Sequence, residues 1–354
     1  MQIEKILSDY DGIVDDIKDL IGDDEPSKLF YFLIDKLGYL LSNNPDDVLS
    51  LKGKERRDKF NKILKVVGPL FLSSKQIIVD RNELQNDKKY NSFILNDDPV
   101  IWAPTHSFKD DALATVLSIP RNAYFLFGSL PQFYNTFDGV TAWLNGSIIV
   151  NRKNKSSRKA SIEKCKKAID LGIDLIIYPE GVWNKTPNLL TLNLWPGVYR
   201  IAKEKNIKIV PVIHYKKNPE IMTKKDYIYT LIDDPIAIDN MNEKQALNYL
   251  RDVYNYWTYL LMDKYGKSTR ENEIGCNNSA DVWEEKLMKR VQTAARYDYE
   301  IETSADYNNN YVLEEDVWNP IASVNNITAN NILMVEHAKE KIKELKRNNF
   351  QRRF

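Results

Sequence analysis

Between residues 76 and about 239, short apolar runs alternate with helical periodicities. Runs at 77–79, 100–103, 123–127, 148–151, 175–178, 209–213 and 227–233 have strand length and are rich in β-branched and aromatic residues. Apolar residues spaced three and four apart predict helices over 111–118, 137–144, 157–171, 196–204 and 243–264. Such alternation predicts an α/β fold: a mixed, largely parallel sheet flanked by helices. Helical additions are expected at both ends. The pattern divides the chain into a helical region over 1–65, a central domain over 66–266 and a helical extension over 267–354. No internal repeat is present, and no motif is legible beyond Gly266.

One helical stretch has a second feature. Over 55–72 an apolar stripe of Phe60, Ile63, Leu64 and Val67 is flanked by Arg56, Arg57, Lys59, Lys62 and Lys65. It reads either as a surface helix packing its stripe on the core, or as a basic amphipathic helix meeting an anionic membrane surface.

Composition narrows the classes. With 354 residues, 43% of them hydrophobic, the chain can bury a substantial core. Lys and Arg (50) balance Asp and Glu (50), so no overall field favours nucleic acid as a partner. Cys165 and Cys276 stand in no metal or redox spacing, so neither a disulfide framework nor a metal site is expected. The first residues lack the basic-then-apolar pattern of a signal peptide, and no apolar run reaches the length of a membrane span. A cytoplasmic protein is expected, peripheral on the inner face of a membrane if the basic helix meets lipid.

The chemistry concentrates where predicted strands end, the place where α/β folds gather their active sites. The run ending at Trp102 leads through Ala-Pro-Thr to His106, and Asp111 follows at the start of a helical pattern. An imidazole oriented by a carboxylate is the arrangement of a general base. Asp110 competes for that role, since it lies one helical turn from the histidine. Other strand ends carry Arg152 and Glu180. Pro211 lies inside a predicted strand, where it removes a ladder donor, so an edge or a bulge facing the site is expected there. The run 152–167 holds eight Lys or Arg against one Glu. It reads as a solvated helix face, or as a patch receiving anionic lipid or donor phosphates. His214 reads as structural, His337 as a surface residue and Cys165 as packing. The aromatics of 124–127, with Phe133 and Tyr134, read as core or as the lining of an apolar tunnel.

Four segments together resemble the glycerolipid acyltransferase family. They are His106 and Asp111 with four residues between them, Gly146-Ser-Ile-Ile-Val-Asn-Arg152, Tyr178-Pro-Glu180-Gly181, and Ile209-Val-Pro211-Val-Ile213. The likeness runs over about 66–266 and implies that family's fold. It also implies transfer of a fatty acyl group from acyl-CoA or acyl-carrier protein to a hydroxyl of a glycerol phosphate or lysophospholipid-like acceptor. His106 would be the base and Asp111 its orienting partner, with no cofactor beyond the acyl thioester. Gly146, Arg152, Glu180, Gly181 and Pro211 would form the substrate-binding set. Two positions depart from the pattern. Thr105 stands where an asparagine is common, and Gly181 is followed by Val182-Trp183-Asn184 in place of Thr-Arg-Ser, so one phosphate-binding arginine is missing. Lys185 lies close enough in sequence to compensate. A non-catalytic lipid-binding scaffold of the same fold and an acyl-thioester hydrolase are the competing functions.

Overall fold

The structure, a computed structural model, describes residues 48–85, 97–108, 110–128, 137–152, 154–184, 190–217 and 225–266, with isolated helical positions between 339 and 347. Phe133, Tyr134, Lys185, His337, the helices expected before residue 48 and most of the expected C-terminal extension lie outside the described residues.

Seven strands form one sheet: β1 (Lys75–Ile78), β2 (Ile101–Pro104), β3 (Ala123–Phe127), β4 (Ser147–Ile149), β5 (Asp174–Ile176), β6 (Ile209–Tyr215) and β7 (Tyr227–Ile232). Their order is β1-β7-β6-β2-β5-β3-β4. Every neighbouring pair is parallel except β6 and β7, which run antiparallel. The helices are α1 (Leu51–Phe71), α2 (Arg81–Gln85), α3 (Asp111–Ser118), α4 (Phe137–Asn145), α5 (Lys155–Asp170), α6 (Gly197–Lys205) and α7 (Glu243–Tyr265). All seven expected strands form, β3 and α3 with the expected ends. The five-residue α2 was not anticipated, being too short to show a period. Helix α5 starts two residues early because Asn154 caps it, accepting from the Ser157 amide.

Strand side chains alternate between two apolar layers, as burial on both faces of a parallel sheet requires. Ile101, Ala103, Leu175, Ile177, Ile209 and Ile213 face one layer, where they pack with Cys165 and Ala168 of α5, Ile201 of α6 and Tyr254 of α7. Trp102, Ile176, Val210 and Val212 face the other, with Leu64 of α1 and Val116 of α3. Strand β2 lies between β5 and β6, and all four of its residues are buried. Its far end is tied down by Asp174, whose carboxylate accepts from the Val100 amide, the Trp102 indole and Arg121. After β2 the chain passes to β3 on one side, and later to β6 on the other. This switch point opens a crevice beyond the strand's carboxyl end.

Helix α1 packs differently from the expected stripe. Its inward line is Gly53, Arg57, Asn61, Leu64 and Gly68, while Ile63 is exposed. Gly68 sets this rotation, because a Cβ there would stand 2.8 Å from Leu117 of α3. Arg57 lies over the Trp143 ring and Asn61 bonds to Asn145, so α4 receives polar side chains from α1. The boundary expected at residue 65 falls within this continuous helix.

Pro211 lies at a bulge and not at an edge, one of the two settings expected for it. It lies on β6, an interior strand, opposite Ala103 of β2. Its carbonyl accepts from the Asp233 amide. Between the pairs Val212–Ile232 and Ile209–Ile236, three residues of one chain oppose two of the other, which makes a bulge. The nitrogen that cannot donate faces this bulged side.

Gly146 sits before β4, at the opposite end of the strand from Arg152. Its φ is +113°, and a Cβ there would come within 2.1 Å of the Tyr124 ring. The glycine is needed for close packing and turn geometry, and its place at the foot of the sheet does not suit contact with a substrate near His106. Gly146→Ala is expected to destabilise the protein by roughly 2–4 kcal/mol through strain and overpacking. Urea unfolding checks this, and an unchanged midpoint would contradict it.

Candidate active site

The crevice collects the ends of four strands. Strand β2 delivers His106, β4 delivers Arg152, β5 delivers Tyr178, Glu180, Gly181 and Trp183, and β3 ends at Gly128. His106 Nδ1 lies 2.8 Å from Asp111 Oδ2, with the imidazole 19% exposed and the carboxylate 1% exposed. The same Oδ2 accepts from the Ser107 and Phe108 amides at 3.0 and 3.3 Å. An ionised carboxylate only accepts, so Nδ1 carries the proton and Nε2 is left as the basic nitrogen. Asp111 opens α3, where the helix dipole also favours its negative charge.

The choice between the two aspartates is settled by where each points. Asp110 Oδ2 accepts from the Ser73 amide and hydroxyl, tying the turn to the end of α1. Asp111 alone of the two reaches the imidazole.

Tyr178 and Trp183 flank the ring, with centroids 4.3 and 5.8 Å from that of His106. Trp183 is buried, and its indole N–H has no hydrogen-bond partner among the described residues. The Tyr178 hydroxyl reaches Thr115 Oγ1 at 3.0 Å, and burial pushes its pKa well above the ordinary value. Thr115 donates to the Asp111 carbonyl and meets His214 Nε2 at 2.7 Å. His214 Nδ1 meets Thr230, which Gln76 contacts in turn. All of these bonds are satisfied by a neutral His214 protonated on Nε2, and burial lowers its pKa to about 4. His214 is therefore structural, as expected. Thr105 pins the end of β2 to β6 by accepting the His214 amide. No individual role for Tyr178 or Thr115 was legible from residue type or spacing. Thr115, a polar residue one turn after Asp111 on an otherwise apolar face, was the available signal.

Arg152 runs past Gly128 and donates to the Gly181 carbonyl. Gly181 has φ +74°, and a Cβ there would lie 3.1 Å from Trp195 and 3.3 Å from Arg152. The structure thus brings Arg152 and Gly181 together, with the part-exposed Trp195 beside them. Glu180 points elsewhere: it is 2% exposed, and its two oxygens accept from the His106 and Leu192 amides, each at 2.9 Å. Burial pushes its pKa up to about 7, against the pull of those amides. Among the described residues, no group of three His, Cys, Asp or Glu is placed to hold a metal ion.

A histidine–aspartate pair at the carboxyl end of a central strand has the arrangement that general-base chemistry needs. Residues 88–215, which contain the pair and all of the strand ends above, match the family model described as Acyltransferase. Among solved structures the chain is similar to the 1-acyl-sn-glycerophosphate (LPA) acyltransferase PlsC from Thermotoga maritima. The identity is 15% and the TM-score 0.46, over 66% of this chain and 93% of that one. No curated protein matches the chain in sequence.

The dyad geometry separates the aspartates by function. Asp111→Ala is expected to cut turnover by roughly 10²–10⁴-fold, the usual worth of a positioned base. Asp110→Ala removes the bonds to Ser73 and is expected to cost about 1 kcal/mol of stability with turnover largely kept. Steady-state rates beside urea midpoints for both variants provide the check, and equal rates would defeat the assignment.

Proposed function

We propose that the chain transfers a fatty acyl group from acyl-CoA or acyl-carrier protein to a hydroxyl of a glycerol phosphate or lysophospholipid-like acceptor. The observation that carries this reading is the 2.8 Å contact between His106 and a buried Asp111 inside an acyltransferase family domain. His106 Nε2 takes the hydroxyl proton as the acceptor oxygen bonds to the thioester carbonyl carbon, whose oxygen gains the negative charge. When the intermediate collapses the C–S bond breaks, and the imidazolium returns the proton to the departing thiolate. Asp111 stabilises the imidazolium in between. Arg152, whose planar fork suits phosphate, carries the acceptor's phosphate. Trp183 stands where a second arginine would share that load, which disfavours lysophosphatidate as the acceptor.

Purified protein should release thiol from an acyl thioester only when lysophospholipid or glycerol phosphate is present. His106→Ala should lower that rate roughly 10²–10⁴-fold. Equal release without an acceptor would make the chain a thioester hydrolase. No release from either donor would leave a lipid-binding scaffold.

The same reading places the protein at a membrane surface. None of the described helices is long and apolar enough to cross a membrane. Helix α1 nevertheless exposes Ile63, Val66, Leu70 and Phe71, with Lys59 and Lys62 exposed alongside. Apolar side chains bordered by lysines suit an anionic lipid interface. Sedimentation with phosphatidylglycerol vesicles should capture the protein, and Val66→Glu with Leu70→Glu should weaken capture at least tenfold, because each apolar side chain contributes about 1.5–3 kcal/mol on burial. Unchanged capture would sink the membrane assignment.

A further inference from the structure

We propose that Glu180 is a positioning residue that grips the main chain of the general base, and is not a ligand of the acceptor. The proposal rests on the reading of His106 as that base. Each main-chain polar group of His106 is held by the segment that follows β5. Its N–H donates to Glu180 Oε1 at 2.9 Å, and its C=O accepts from the Asn184 amide at 2.6 Å. Its ring is held by Asp111. The backbone and Nδ1 are thus fixed from two directions, and Nε2 alone is left for chemistry.

The second oxygen of Glu180 is also engaged, by the Leu192 amide at 2.9 Å. The carboxylate therefore staples three pieces of chain: the turn after β2, the turn after β5, and the segment that leads into α6. Trp195 closes the same loop by donating its amide to the Pro179 carbonyl. The carboxyl group is 2% exposed and each of its oxygens already accepts an amide, so it offers no open face to an acceptor hydroxyl. A carboxyl group suits this place because two amide donors must converge on one short side chain. An isosteric amide cannot satisfy both, since its nitrogen does not accept.

Three measurements test this. In steady-state kinetics Glu180→Gln should lower kcat roughly 10–100-fold, the cost of a base displaced by about an ångström. The KM for the lysophospholipid or glycerol phosphate should stay within about threefold. A KM raised tenfold or more with kcat preserved would make Glu180 an acceptor ligand and overturn the proposal. In the wild-type protein, the backbone amides of His106 and Leu192 should keep their hydrogen-bonded NMR shifts when that acceptor saturates the site. Release of either amide would overturn the proposal, and this result stands even where the variant does not fold. Without any acceptor, the low-field His106 Nδ1 proton should be present in the wild type and lost or broadened in Glu180→Gln. An unchanged proton signal would also overturn the proposal. If the wild type transfers no acyl group at all, the functional reading fails, and the two NMR results still decide whether Glu180 positions His106.

Discussion

A single buried carboxylate oxygen organises this molecule. Asp111 Oδ2 receives two backbone amides and the imidazole of His106, all from the short turn between β2 and α3. A fully buried carboxylate is tolerated only where donors surround it. Here those donors belong to the turn that carries His106. The bonds that hold this oxygen and the one that orients the imidazole therefore come from the same turn. The turn is also anchored from outside. Ser73 holds Asp110, Thr105 holds the end of β6, and Glu180 and Asn184 hold the backbone of His106.

Beneath this turn lies a neutral layer made of Thr115, His214, Thr230, Gln76 and the Tyr178 hydroxyl. It supports α3 against β6 and β7 without adding a charge near the dyad. Its pH signature has a definite sign. Folded His214 resists protonation down to about 4, whereas an unfolded histidine takes a proton near its ordinary value of 6.5. The stability of its neutral form is therefore lost as pH falls through that window. Glu180 acts in the opposite direction. Its folded pKa of about 7 lies above the ordinary 4.5, so ionising it erodes stability as pH rises between those values. Two buried groups at one site thus oppose each other through mildly acidic pH.

The outer elements follow a simpler logic. Helix α1 comes close to α3 because Gly68 has no side chain to prevent it, and this turns Ile63, Val66 and Leu70 outward. The stripe visible in the sequence marks apolar residues correctly. The inward line is instead set by small and polar side chains that fit Leu117, Trp143 and Asn145.

The strands and most of the helices were legible in the residues themselves, while the choice of Asp111 over Asp110 came from the family resemblance. Period, turn chemistry and the spacing of His106 to Asp111 are local properties, and a chain carries them wherever it folds. The direction of a side chain at a strand end is not local. Asp110 and Asp111 are neighbours in sequence, yet one turns to Ser73 and the other to His106. Glu180 and Arg152 stand in look-alike motifs, yet one staples amides while the other crosses to Gly181. Gly146 shares a motif with Arg152 and lies at the opposite end of its strand. Pro211 fits inside the sheet because its nitrogen, which cannot donate, faces the bulge in the segment after β7. The sequence by itself determined the α/β alternation and the residue types available for proton transfer. Which of them point into the crevice, and which spend their polar atoms on the backbone, was decided only by tertiary structure, because that choice depends on donors supplied by segments far away along the chain.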